Sequence, residues 1–150
     1  VKFRAYLVQP LDLSPGAVIK RSELHERFGG SRQNGISPSL KSSNVFIFTH
    51  PEQGEIHGYY DKWADDRQTL FYSGEGQSGD QTMTRGNKAI LNHKNDGRAL
   101  RVFEQTDRPG YVRYKGEFQI NENQPFETTT EHSTNHGIQR QVFIFQLNKI

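Results

Sequence analysis

From Val112 to Ile120 the chain alternates with a period of two. Val112, Tyr114, Gly116, Phe118 and Ile120 take one set of positions, and Arg113, Lys115, Glu117 and Gln119 take the other. That period predicts a strand half-buried against a core, with the first set on one face. "ALRVFEQ" before it reads the same way. "QVFIFQL" near the end is apolar on both faces and is expected to be a central strand. "NVFIFTH" is another strongly apolar strand, with "EIHGYYD" and "TLFYS" expected as its neighbours, and Val1 to Gln9 is a strand broken by "LDLSPG". Helical signals are fewer. Ser22 to Phe28, "SELHERF", is a short helix ended by Gly29 and Gly30, and Met83 to Asn92 carries Met83, Ala89, Ile90 and Leu91 at helical spacing. Between the first helix and "NVFIFTH", the segment "GGSRQNGISPSLKSS" is expected to be a loop. Strands outnumber helices by about three to one on this reading. The fold class is therefore α+β: a strongly curved sheet or small barrel with two or three helices alongside.

The 150 residues suit a single domain. Net charge is only +2, from 19 basic and 17 acidic residues, so no global basic field marks the chain as a nucleic-acid binder. The absence of cysteine excludes disulfides and thiolate metal sites and fits a cytoplasmic protein. No apolar run reaches membrane-spanning length, and no signal-peptide pattern opens the sequence. Of the six histidines, His132 and His136 stand four apart among loop-forming residues with no third ligand nearby. His50 and His57 flank a turn, and His93 sits in "NHKND" without a ββα-metal pattern. No metal site, cofactor or catalytic residue is expected. No G-x-S-x-G elbow is present. Gly74, Gly76 and Gly79 spell G-x-G-x-x-G, but the helix after them begins late and the later strands look antiparallel, so a dinucleotide fold is set aside.

What remains is an aromatic and carboxylate group, "GYYDKWADD" followed by "FYSGEGQSGD". Tyr59, Tyr60, Trp63 and Tyr72 are interleaved with Asp61, Asp65, Asp66 and Asp80. Flat rings can sandwich a planar base, and a carboxylate can accept from the exocyclic amino group of cytosine. The competing reading has Tyr59, Trp63 and Phe71 packing the core while the aspartates sit solvated in turns.

Several spaced elements in order resemble the core of the SRA (SET- and RING-associated, or YDG) domain. These are Gly58-Tyr59-Tyr60-Asp61, then Tyr72-Ser73-Gly74-Glu75-Gly76, then Asp80-Gln81, then Gly86-Asn87-Lys88-Ala89-Ile90. The upstream "RSELHERFGGSRQNGIS" further resembles the SRA-like domains of bacterial modification-dependent restriction endonucleases that pair this reader with an HNH nuclease. The resemblance spans roughly residues 20 to 120 and implies a PUA-like fold. It also implies a partner, double-stranded DNA carrying modified cytosine, with the 5-methylcytosine flipped into a pocket. Tyr72 and either Tyr60 or Tyr59 would wall that pocket. Ser73 and Gly74 would lie at the base edge, Trp63 nearby, and the carboxylate that reads the amino group would come from the Asp61 to Asp65 segment, with Asp61 preferred. Asp80, Gln81 and Asn87 would order the glycine-rich turn.

The same family reading extends to the rest of the interface. Arg32, Gln33 and Asn34, at the tip of the "GGSRQNGIS" loop, would enter a groove and fill the vacated duplex, the competing reading being an ordinary surface turn. Lys62, Arg85 and Lys88 would hold phosphates, which position a domain without specifying sequence. One methyl group is worth only about 1 kcal/mol of apolar contact, so 5-hydroxymethylcytosine is expected to fit as well. The other classes to separate are a base-acting enzyme such as a glycosylase, and a reader of modified adenine, phosphorothioate DNA or modified RNA. The 150 residues are expected to be the N-terminal reader of a longer bacterial, cytoplasmic nuclease, with any homodimer formed through regions outside them.

Overall fold

The computed structural model describes residues 11–50, 61–132 and 139–150. The expected strand from Val1 to Gln9, nearly all of "EIHGYYD" with Tyr59 and Tyr60, and the His132–His136 side-chain pair lie outside what is described. The elements are β1 (Val18–Lys20), α1 (Arg21–Phe28), β2 (Ile36–Pro38), β3 (Asn44–Thr49), β4 (Lys62–Trp63) and β5 (Thr69–Ser73). They continue with α2 (Arg85–Leu91), β6 (Ala99–Gln105), β7 (Tyr111–Ile120), β8 (Phe126–His132) and β9 (Gln139–Lys149). Among the described residues the nine strands form one open sheet in the order β2-β3-β6-β7-β9-β5-β4, with β1 on β7 and β8 on β9. β3 and β6 run parallel and every other pairing is antiparallel. This is a mixed α+β arrangement with an open sheet and two helices, in the class expected from the sequence.

The two helices explain why β3 is apolar on every side. Val45 and Ile47 point to a core that includes Ala89 and Ile90 of α2. Phe46 and Phe48 point the other way, toward Leu24 and Phe28 of α1. Each fully buried side chain of this size contributes about 1.5–3 kcal/mol over leaving it exposed. α1 carries Glu23 in its first turn and Arg27 in its last, which suits the helix dipole. It stops at Gly29, whose φ of 82° few other residues adopt and whose N–H returns to the His25 carbonyl.

Three expectations need correction. Residues 36–38 of the supposed loop form β2, which pairs Ile36 with Ile47 and Pro38 with Val45. "TLFYS" (β5) does not pair with β3; its partners are β4 and β9. The alternation in β7 also does not define a single face. The register shifts between Val102 and Phe103, which face Gly116 and Tyr114 respectively, so Lys115 is an extra residue. Val112 and Tyr114 therefore join the α1 core, whereas Phe118 and Ile120 join the α2 core. Gly116, at φ 119°, accommodates the kink, and a Cβ there would lie 3.1 Å from Lys149 Cε.

Candidate nucleic-acid interface

The glycine-rich turn follows β5 directly and is held by side chains acting as substitutes for backbone. Gln81 donates to the carbonyls of Gly74 (2.7 Å) and Gly76 (3.2 Å), and its Oε1 accepts the Phe143 N–H of β9 at 2.8 Å. Asn87 accepts the Glu75 N–H at 2.8 Å and donates to the carbonyls of Glu75 and Thr82. Asp80 Oδ1 accepts the Gln141 N–H at 2.8 Å. Glu75 reaches forward to accept the Gly86 N–H at the start of α2, where Thr84 makes no side-chain cap. A Cβ on Gly74 would lie 2.7 Å from Gln81 Oε1 and 2.9 Å from Asn87 Oδ1, so a side chain there would displace the two amides that hold the turn.

Behind the turn lies an ion pair with almost no exposure. Arg140 donates to Glu131 Oε1 at 2.9 Å, their side chains being 3 % and 7 % exposed. Its other terminal nitrogen donates to the carbonyls of Gly76 and Gly79. Burial pushes the Glu131 carboxyl up, and the Arg140 hydrogen bond and charge pull it back down. Nothing in the chain's patterning singled out this pair, because each residue sits among polar neighbours on its strand.

Asp61 lies where β5 ends. Its Oδ2 accepts the Thr49 hydroxyl at 2.7 Å and its Oδ1 accepts the Ser73 N–H at 3.0 Å. Burial pushes the Asp61 carboxyl up to about 6, against the downward pull of those two hydrogen bonds. Each oxygen keeps a second lone-pair site for a donor. Tyr72, one residue before Ser73, is buried, and its hydroxyl donates to the Phe48 carbonyl at 3.0 Å. The structure thus gathers Asp61, Tyr72, Ser73 and Gly74 at one end of β5, with Thr49 added from β3. A polar residue closing an otherwise apolar strand was the available sign of Thr49. Trp63 packs on Phe118 at a centroid distance of 5.8 Å, and its indole N–H donates to Glu104 at 2.7 Å. Its described partners are not those of Asp61.

A groove of about 950 Å³ opens on the other side of the turn, between Asn34 and β2 on one wall and Gly76 to Lys88 on the other. Asp61, Tyr72 and Ser73 do not line it. Arg85 and Lys88 are exposed on its rim, with Arg98 further along; Arg32 and Gln33 are exposed on the loop beside Asn34, and Lys62 is exposed on β4. Arg85 has a φ of 49°, an uncommon conformation for a side-chain-bearing residue and the first position of α2. Asp80 and Glu75, the acidic members of the same turn, are hydrogen-bonded to backbone amides. His93 is buried, bonded to the Arg98 carbonyl and the Ile120 N–H. Among the described residues no cluster of three or more histidine or acidic side chains could hold a metal, and no helix is long and apolar enough to cross a membrane.

Comparison with known proteins places this geometry. The chain is 24 % identical to the Type IV phosphorothioation-dependent restriction endonuclease ScoMcrA, with a TM-score of 0.69 over 95 % of this chain and 28 % of that one. Against the sulfur-binding and SRA domains of ScoMcrA complexed with phosphorothioated DNA, it is 22 % identical. There the TM-score is 0.70, covering 98 % of this chain and 44 % of the other. The SRA domain of SUVH5 in complex with hemi-methylated CG DNA is 25 % identical, with a TM-score of 0.64 over 96 % and 93 % of the two chains. The chain thus spans less than half of the ScoMcrA structures and nearly all of the SUVH5 domain. No curated protein sequence matches it. The family model described as "ScoMcrA-like, SRA domain" matches residues 15–150, and with that match over most of its length the chain belongs to the SRA-domain family of the ScoMcrA type.

Proposed function

We propose that this domain recognises modified DNA by taking a modified cytosine, 5-methylcytosine or 5-hydroxymethylcytosine, out of the duplex into a pocket at the end of β5. The observation that carries this reading is the Asp61 carboxylate. It is desolvated, oriented by Thr49 and Ser73, and placed beside Tyr72 and Gly74. A carboxylate so placed accepts from the cytosine N4 amino group, and a charged hydrogen bond of this kind is worth about 1.5–3 kcal/mol. Tyr72 with Tyr60 or Tyr59 would stack on the base. Unstacking costs a few kcal/mol, which stacking, the Asp61 contact and the loop bearing Arg32, Gln33 and Asn34 would offset. The methyl group adds only about 1 kcal/mol, so discrimination over unmodified cytosine is about fivefold while discrimination against other bases is larger. Lys62, Arg85 and Lys88 would contact phosphates, Arg85 and Lys88 from the groove rim.

The domain would serve as the specificity module of a modification-dependent restriction endonuclease whose HNH cutting domain lies elsewhere in the protein. A second reading, contact with phosphorothioate DNA, is favoured by the match to the ScoMcrA type, since ScoMcrA is the phosphorothioation-dependent enzyme. The test is binding by fluorescence anisotropy to matched duplexes carrying cytosine, 5-methylcytosine, 5-hydroxymethylcytosine, N6-methyladenine or one phosphorothioate, with Asp61→Asn alongside. Tighter binding to the cytosine modifications, weakened in the variant and below pH 6 where Asp61 takes up a proton, supports base reading. Equal, steeply salt-dependent affinity for all five would leave only phosphate contact. Release of free base would indicate a glycosylase.

A further inference from the structure

The loop of residues 31–35 is rooted by an assembly that the sequence did not signal, and its centre is Arg21. The Arg21 guanidinium carbon lies 3.6 Å from the centroid of the Phe48 ring. One terminal nitrogen donates to the carbonyls of Ser31 (3.0 Å) and Asn34 (2.6 Å), and Nε donates to His25 Nε2 at 3.0 Å. That last bond requires a neutral His25 whose proton is on Nδ1, which meets the Gly29 carbonyl at 2.8 Å. The described partners of Arg21 are therefore carbonyls, an imidazole and an aromatic ring, not a carboxylate. Burial lowers its pKa to about 10, so it stays charged at neutral pH. A half-buried cation whose described partners include no anion stabilises a fold poorly, which argues that its geometry is what matters.

Phe48 connects this assembly to the base pocket with every group it has. Its ring lies under Arg21, its N–H donates to the Gly35 carbonyl at 2.8 Å, and its carbonyl accepts the Tyr72 hydroxyl at 3.0 Å. Gly35 stands against the same hydroxyl: a Cβ there would lie 3.1 Å from Tyr72 Oη. The loop tip, Arg32 to Asn34, is exposed, while its two ends are tied to the residue that holds Tyr72.

We propose that Arg21 is a positioning residue that locks the 31–35 loop to the Tyr72 wall, so that loop insertion into the duplex and occupation of the pocket occur as one step. This rests on the base-flipping reading above. A displacement of the Tyr72 ring moves the Phe48 peptide, and through it both Gly35 and the ring on which Arg21 lies. Lysine cannot replace Arg21, because an ammonium neither stacks on Phe48 as a plane nor spans Nε and Nη2 donors in a fixed fork.

The test uses Arg21→Lys in two assays, on duplexes with and without 5-methylcytosine, with 2-aminopurine beside the modified position to report unstacking. Thermal melting checks that the variant is folded. The expected result is unchanged affinity for the unmodified duplex within about twofold, with loss of the modified-over-unmodified preference and of most of the 2-aminopurine rise. A folded variant that keeps the wild-type preference and fluorescence rise overturns the inference and leaves the base-reading function standing. Equal weakening on both duplexes with a lowered melting temperature also overturns it, since Arg21 would then only stabilise the fold. A wild-type domain with neither preference nor fluorescence rise removes the base-reading function itself. Gly35→Ala gives a second route: its methyl group crowds the Tyr72 hydroxyl, so it should lower the modified-over-unmodified preference, and combining it with Arg21→Lys should cost less than the sum of the two losses because both break one link. Purely additive losses would count against the coupling.

Discussion

Two polar loops border the same groove and are held by opposite means. The glycine-rich turn after β5 is fixed from within, where Gln81 and Asn87 satisfy its backbone and Glu75 caps the helix that follows, and from one strand, β9, through Arg140 and the backbone of Gln141 and Phe143. The 31–35 loop contributes little to its own support. Arg21 from α1, Ser37 from β2 and the Phe48 backbone from β3 hold it from three different elements. The turn is thus a self-braced motif docked on a single strand, whereas the loop takes its shape from three separate elements. A self-braced motif can keep its form while the sheet adjusts around it. A loop rooted in three elements will report any movement among them, as the coupling proposed for it requires.

The largest test of this contrast is the buried pair behind the turn. Arg140→Met should destabilise the domain by about 3–5 kcal/mol, because Glu131 would be left charged and desolvated while the Gly76 and Gly79 carbonyls lose their donor. Denaturant unfolding measures this, and a loss under about 1 kcal/mol would show that Gln81 and Asn87 hold the turn unaided. Replacing both members with apolar residues of similar volume should recover much of the loss.

Asp61, at the end of β5 and outside the groove, gives the next effect, and it depends on pH. The Asp61 carboxyl is raised from 3.8 to about 6 in the folded state, so between those values the folded chain binds more protons than the unfolded one. Stability from this group is full below pH 3.8 and is lost as pH rises through about 6. Asp61→Asn should therefore stabilise the protein at pH 8 by on the order of 2–3 kcal/mol and leave it little changed near pH 4. Asparagine fits because its carbonyl can take the Ser73 N–H while its amide donates to a rotated Thr49 hydroxyl. A variant less stable than the wild type at pH 8 would show that the carboxylate is not under strain. A gain in stability together with loss of discrimination would identify a group retained for binding rather than for folding.

The smallest effect belongs to the loop. Ser37 is buried, accepts the Ser31 N–H at 2.6 Å and donates to the Ser31 carbonyl at 3.1 Å. Ser37→Ala should cost about 1–2 kcal/mol globally and accelerate hydrogen exchange at Ser31 far more than at Glu75. Equal acceleration at both amides would mean that the two loops share one support and are not held independently.

Much of this molecule was readable in the chain because it depends on short spacings. The Tyr72-Ser73-Gly74 step, the Asp80-Gln81 pair and Asn87 stand within sixteen residues, and β3, β6 and β9 announced themselves by hydrophobicity alone. Periodicity reports whether a residue is buried, not on which side. The β7 alternation runs unbroken through Lys115, yet the bulge there sends Val112 and Tyr114 to one core and Phe118 and Ile120 to the other. A bulge changes face without changing which positions are apolar, so only the register against β6 reveals it.

The site divides in the same way. The order of the motifs was enough for a resemblance to an SRA-type α+β domain, and it made Asp61, Tyr72 and the glycine-rich turn the candidates, because those residues stand in a contiguous stretch. Which groups support them was decided by the tertiary structure. Thr49 reaches Asp61 across twelve positions, Arg140 reaches Gly76 across sixty-four, and Phe48 meets Tyr72 across twenty-four. Hydrogen-bonding side chains of this kind occur throughout the chain, and no local pattern distinguishes the few that are brought to the site. Their partners are chosen by strand order and register, which arise when both faces of the sheet bury their apolar residues together.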